Sequence, residues 1–329
     1  MNDKITVSAL PTNVRIKRLF SDYNAIAIVL LLLIVATFVV DGFNGKSIST
    51  ILVQASLYGF VALGLSLVMI TGNIDLSVGY QLCTAGIICI LTLNATGSMI
   101  IAALAALICG ALTGAINGAV VTKIGVNPLI ATIATNYIYK GFSYYFTENG
   151  SLTPTADFKD SLKALAKAQI LGSKWFSVTI VIFVVVLAIM FFLMYKTRFG
   201  NSLYISGDNA EAGQFAGINI NRINFLAFTL CGVFCAASAI MFCSDNAGIT
   251  YTLGEGKDVF AISACVIGGI KMVGGKGTTV NVLAGVLIMR IISKALDMML
   301  LPQQWSNFVS GALLIIILLV DALSSRKKA

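Results

Sequence analysis

The chain has 329 residues, 58% hydrophobic and only 11% charged, with a mean hydropathy of +0.92 and a net charge of +8. This composition excludes a soluble domain and predicts an all-α integral membrane protein, a polytopic helical bundle forming one domain. The basic balance does not point to nucleic acid, because the Lys and Arg residues sit at span ends and in loops.

Residues 1–22 are polar and basic and read as a cytoplasmic N-terminal segment without a cleavable signal peptide. Apolar runs near bilayer-spanning length follow at about 23–41, 48–70, 80–96, 98–121, 127–146, 176–195, 223–243, 258–270, 278–296 and 304–321. They predict about ten transmembrane segments within a membrane domain over 23–321. The third and eighth runs are short, and the eighth is flanked by glycine-rich loops, as in a broken or re-entrant helix. Residues 322–329 form a basic cytoplasmic tail. Placing both termini in the cytoplasm puts Arg15, Lys123, Lys196, Arg198, Arg222, Lys271 and Lys276 inside, against Lys46, Lys159, Lys163, Lys167, Lys174 and Lys257 outside, and satisfies the positive-inside rule.

Between the second and third runs lies Gly72-Asn73-Ile74-Asp75-Leu76-Ser77-Val78-Gly79. Hydrocarbon offers no water to solvate a carboxylate or a broken helix, so such a segment persists only against protein or a wet cavity. Two readings stand: a polar pathway element at membrane depth, or a turn that reaches the surface. Gly110, Gly114 and Gly118 recur every four residues, a stripe that lets helix backbones approach closely and reads as packing. Asn117 and Asn281 beside such positions read as interhelical hydrogen-bond partners, or else as pathway groups.

Covalent chemistry is not expected. The absence of histidine removes imidazole bases and histidine metal sites together. Cys83, Cys89, Cys109, Cys231, Cys235, Cys243 and Cys265 fall in or beside apolar runs and read as small buried apolar residues. No catalytic residue, metal site or cofactor is assigned. Gly45-Lys46-Ser47 looks like the end of a phosphate loop, but the glycine required five residues earlier is Val40, and Gly274-Gly275-Lys276-Gly277 lacks the following Ser or Thr. Any ATP used must be hydrolysed by another polypeptide.

Two loops carry further information. Residues 197–222 are more polar and longer than a turn needs; Asp208 or Asn209 can cap a short helix over about 207–217, and Gly217 can end it. This is either a docking element on the inner face or a solvated connector. In the outer loop, 147–174, Lys159, Lys163 and Lys167 recur every four residues. A helix there presents one basic stripe over an apolar side of Leu162, Leu165 and Ile170. The stripe is a docking surface for an acidic partner or a solvated face.

Residues 72–79 resemble the Gly-Ile-Asp-Leu-Ser-Val-Gly signature of ribose-type sugar ABC importer permeases. Gly207, Asn209, Ala212, Gly217, Ile218 and Asn219 match that family's cytoplasmic coupling loop, and Ile267-Gly268-Gly269 with Gly274-Gly275-Lys276-Gly277 match its Gly-Gly…Gly-Gly-x-Gly element. The likeness runs from the second span to the last. It departs at Asn73, where the family often has a small residue, at Glu211 in place of a usual alanine, and at Asp258-Val259-Phe260, where family members commonly show Glu-x-Asp.

The resemblance implies a permease subunit in a bacterial cytoplasmic (inner) membrane. A second permease subunit, identical or homologous, a cytoplasmic ABC ATPase with fused cassettes and an extracytoplasmic substrate-binding protein would complete the importer. The coupling loop would include Glu211 beside the matched residues. A neutral sugar needs hydroxyl-bonding groups along its path, and Asn73, Asp75, Ser77 and Asn136 are the candidates, with Tyr137 and Phe142 offering apolar faces. For Asp75, anchoring a helix N-terminus is the stronger reading. Importers of nucleosides or amino acids, and an ion-coupled carrier with Asp75 as its ion site, are the alternatives.

Overall fold

A computed structural model describes residues 27–148, 150–155, 157–159, 162–163 and 177–326. The apolar runs fold as α1 (Ala27–Val39), α2 (Gly45–Ile70), α3 (Val78–Thr96), α4 (Met99–Ala119) with a π-helical extension over Val120–Ile124, and α5 (Pro128–Phe146). After the outer loop come α6 (Val178–Lys196), α7 (Arg198–Asp208), α8 (Ala210–Phe215) and α9 (Ile220–Asn246). The chain closes with α10 (Lys257–Ile267), α11 (Thr279–Met298) and α12 (Gln303–Arg326).

Among the described residues, six helices are long and apolar enough to cross a membrane: α2, α3, α4 with its extension, α6, α9 and α11. The third run, expected to be short, is therefore a full candidate span, because its helix begins at Val78. The eighth does form a short helix. At 11 residues α10 extends only about 16 Å, and a glycine-rich turn follows it. Polar caps set where helices begin: Asn44, Asn127, Asn219 and Thr278 each accept a backbone N–H from the first turn of α2, α5, α9 and α11.

The centre of the bundle is α2, α3 and the inner face of α9, with Leu57, Phe60, Leu63, Leu82, Ile87 and Phe228 wholly enclosed. α9 packs along α4, α2 and α3. Sequence decides which face of α4 turns inward. Gly110, Gly114 and Gly118 lie against the α9 backbone, and a Cβ on Gly114 would stand 3.0 Å from Thr229 Cα. Ile100, Leu104, Ile108, Leu112 and Ile116, also four apart, point outward. Small residues where backbones cross and bulky apolar ones outside are the pattern lipid selects.

The described part of the outer loop is tied down at three places. Ser151 and Leu152 pair antiparallel with Thr250 and Ile249, which follow α9. Asn94 at the end of α3 accepts from the Thr155 backbone N–H and donates to the Thr153 carbonyl. Lys159 is exposed and Lys163 half-buried. Leu162 between them is buried, and its carbonyl accepts from Ser244 Oγ. Lys167, Leu165 and Ile170 lie outside the described residues.

Candidate functional site

The link between α2 and α3 carries the first cluster. Gly72 turns the chain at φ +79°, and the link stays non-helical until Val78. Asp75 is 0% exposed. Its Oδ1 accepts from the Ser77 backbone N–H at 2.9 Å and from Ser77 Oγ at 2.7 Å, and its Oδ2 accepts from Gln81 Nε2 at 2.9 Å. Asn117 reaches across from α4, with Nδ2 at 3.3 and 3.2 Å from the two carboxyl oxygens and 2.7 Å from Ser77 Oγ. Gln81 Oε1 in turn accepts from Thr113 Oγ1 at 3.5 Å, and Tyr139 of α5 donates to the Thr113 carbonyl at 3.1 Å. One carboxyl group thus ties α3, α4 and α5 together.

In this arrangement Asp75 anchors the start of α3 and has no surface to offer a passing molecule. A buried polar network of this kind rigidifies when its members are paired. Within this cluster, among the described residues, only Asn117 Oδ1 is a buried polar atom lacking a partner. Of the other pathway candidates, Ser77 sits inside the cluster, while Asn73 is half-buried and donates to Thr71 Oγ1 at 2.9 Å. Asn136 is half-buried on α5 beside the exposed Tyr137 and Ile138, and among the described residues it has no hydrogen bond to the cluster. Gln81, Thr113 and Tyr139 were not singled out from the sequence. The available signal was Ser77 and Gln81 at i,i+4, two polar side chains on one helical face at the head of an apolar run.

The second feature is an elbow. The segment expected as one short helix over 207–217 is two helices. Thr197 Oγ1 accepts from the Gly200 N–H at 3.2 Å and starts α7. Asn209, extended at φ −155°, ends α7, and its Oδ1 accepts from the Ala212 N–H at 2.9 Å to start α8. Gly207 and Asp208 therefore belong to α7, and one asparagine serves both helices. Gly217, at φ +81°, closes α8, with the Ile218 N–H bonded to the Gly213 carbonyl at 2.9 Å. Asn209, Glu211, Ala212, Gly217 and Asn219 are exposed, Ile218 is half-buried, and Phe215 is 87% exposed.

The elbow is welded to the rest of the molecule by glycines. Gly207 lies directly on the Ile70 carbonyl at the end of α2, and a Cβ there would stand 2.5 Å from the Gly275 nitrogen. The Gly275 N–H donates to the same Ile70 carbonyl at 2.9 Å. A Cβ on Gly274 would be 2.7 Å from the Gly72 nitrogen and 3.0 Å from Gly207 Cα. Tyr204 adds a hydrogen bond from its hydroxyl to the Gly277 carbonyl at 2.8 Å. Burial, with Tyr195 alongside, holds that phenol above its usual range, so it remains a donor. Three motifs far apart in sequence meet at one junction.

Comparison with known proteins decides the family. Residues 47–318 match the family model described as branched-chain amino acid transport system / permease component. The chain belongs to this permease family. It is 31% identical over 279 residues to the autoinducer 2 import system permease protein LsrC of Photorhabdus laumondii, covering 85% of this chain and 82% of that one. The proteins of the same name from Shigella flexneri and Escherichia coli (strain K12 / DH10B) are each 31% identical over 300 residues, 88% of this chain and 85% of theirs. No solved structure matches. With the sequence resemblance, these findings make the chain a permease subunit of the sugar-type ABC importers and a multi-pass membrane protein.

Proposed function

We propose that this permease spans the membrane about ten times with both termini in the cytoplasm. It pairs with a second permease chain and moves a sugar or sugar-like compound delivered from outside by a binding protein. A partner ATPase with fused cassettes grips the α7–α8 elbow and drives alternating access. The elbow carries this reading. Glu211, Gln214 and Phe215 stand exposed on α8, whose neighbour α7 is wedged without side-chain slack against α2 and the 270–277 turn. A push on α8 is therefore delivered to the link that holds Asp75.

The family model's description names branched-chain amino acids and the relatives' names autoinducer 2. The resemblance of residues 72–79 to the sugar-permease signature favours the sugar-like class. An ion-coupled carrier would need Asp75 free to take an ion, whereas both its oxygens are engaged by Ser77, Gln81 and Asn117.

The test is Glu211→Lys and Gly217→Trp in vesicles reconstituted with the partner ATPase and binding protein. Reversing the elbow's charge should lower ATP-driven uptake by about tenfold while membrane insertion is kept. Wild-type coupling in both variants would overturn the reading. The basic stripe gives a second expectation. Changing Lys159, Lys163 and Lys167 to glutamate should raise the binding-protein concentration for half-maximal uptake and leave the maximal rate nearly unchanged. The shift should shrink at high salt, since exposed charges are screened within about 10 Å. A half-saturation that does not move makes the stripe a solvated face.

A further inference from the structure

A separate cavity of about 340 Å³ lies among α2, α10, α11 and α12. Its walls combine features absent from the Asp75 cluster. Arg290, near the middle of α11, is only 8% exposed, and its Nε is buried with no hydrogen-bond partner. Among the described residues no carboxylate pairs with it. Its guanidinium instead rests on the Tyr58 ring, with Cζ 4.6 Å from the centroid. Lys257 approaches the same ring at 4.5 Å and donates to Tyr58 OH at 2.7 Å. Two cations therefore converge on one tyrosine at the wall of a single cavity.

The rest of the lining is hydroxyl-rich. Ser293 and Ser306 are joined Oγ to Oγ at 2.8 Å, and Ser310 donates to the Ser306 carbonyl at 2.7 Å, so buried hydroxyls are held in fixed orientations. Asn307 stands exposed at the rim. The acid at the rim, Glu255, is 55% exposed and already engaged: Lys140 lies 3.7 Å away, and Tyr80 OH donates to it at 3.4 Å. Among the described residues neither wall cation has a carboxylate within ion-pair distance, although the exposed Asp297 also acts on the Tyr58 ring they share.

A charge buried midway along a membrane helix, unpaired and facing a polar void, marks a route or a ligand rather than packing. We propose that this cavity binds the transported compound and selects a polyhydroxylated anion, such as a sugar acid. Arg290 and Lys257 hold the negative group, and the serine hydroxyls and Asn307 meet the hydroxyls. The assignment deepens the importer reading by naming a substrate class. Its test needs neither ATPase nor binding protein, so failure here is distinguishable from failure of the elbow experiments.

The full chain carrying Asn307→Cys is placed in nanodiscs, and the rates of thiol modification by an anionic and a cationic methanethiosulfonate are compared, normalised to a free thiol. The parent chain, whose described cysteines are buried apart from the half-buried Cys109, gives the background. A cleft lined by uncompensated cations should favour the anionic reagent by about tenfold. Arg290→Gln and Lys257→Gln should each reduce that preference, and Arg290→Lys should keep part of it. D-gluconate should slow the modification where D-sorbitol, its uncharged counterpart, does not. The protection should be lost in Arg290→Gln. Should that variant fail to insert, Lys257→Gln and screening by high salt carry the same comparison. Equal reagent rates, equal protection by gluconate and sorbitol, or protection undiminished without the cations would overturn the proposal.

Discussion

Gly207→Val is expected to disconnect the permease from its motor while leaving it in the membrane. A side chain at this position has nowhere to go, because the Ile70 carbonyl lies directly against Gly207 and the Gly275 nitrogen is close behind. Overpacking of a tight contact costs about 1–3 kcal/mol, equivalent to about a five- to 150-fold loss of the coupled state. Relief would require α7 to lift away from α2, which separates the elbow from the 72–77 link. Uptake in reconstituted vesicles should fall by at least about fivefold, with ATPase stimulation lost in parallel, and Gly207→Ala should fall between. Gly141→Ala serves as the control, since nothing lies within 4 Å of a Cβ there. Wild-type uptake by the valine variant would show that the junction is not a transmission point.

Asp75→Leu should damage the fold itself. It strands the donors of Ser77, Gln81 and Asn117 in a place without water, and each buried donor left unmatched costs about 1–3 kcal/mol. The start of α3 also loses its anchor. The monodisperse fraction in gel filtration and the thermal midpoint should both drop sharply. Asp75→Asn keeps one carboxyl-type oxygen for the Ser77 N–H, so partial stability and partial uptake should remain. Uptake by either Asp75→Asn or the parent chain in ATP-loaded vesicles should persist without any ion gradient. Collapse with the gradient would favour the carrier mechanism instead.

The sequence made the local features legible. Hydrophobic runs located the six helices long enough to span, α2, α3, α4, α6, α9 and α11, to within a few residues, and the capping chemistry of Asn209 and Gly217 was readable because it involves neighbours in the chain. The sequence offers a short helix only over about 207–217, and residues 198–206 are not read as helical. They are helical because Gly200 and Gly207 let α7 sit on backbone carbonyls of Met194 and Ile70. That compensation is tertiary and invisible locally.

The convergence of residues 72, 207 and 274–275 was hidden for the same reason: each glycine's partner lies more than sixty positions away. Gln81 was masked by the apolar run around it. Arg290 and Lys257 were visible only as charges, because a cavity is a property of four helices and of none singly. Asp75 was the exception, conspicuous because one carboxylate flanked by glycines has few places to stay in a bilayer.

α9 has a consequence for how such a molecule can evolve. It runs unbroken for 27 residues, about 40 Å, from the end of the elbow at one extremity to the two-residue antiparallel pairing with Ser151 and Leu152 at the other. A continuous rod conveys rotation as well as displacement. Adding one residue within it would turn its ends by about 100° relative to each other and put the face on α4 out of phase with the face on α2. Length changes are therefore tolerable beyond either tip but not between them, so the spacing from Asn219 to Ile249 is a gauge length that the two outlying contact regions must share.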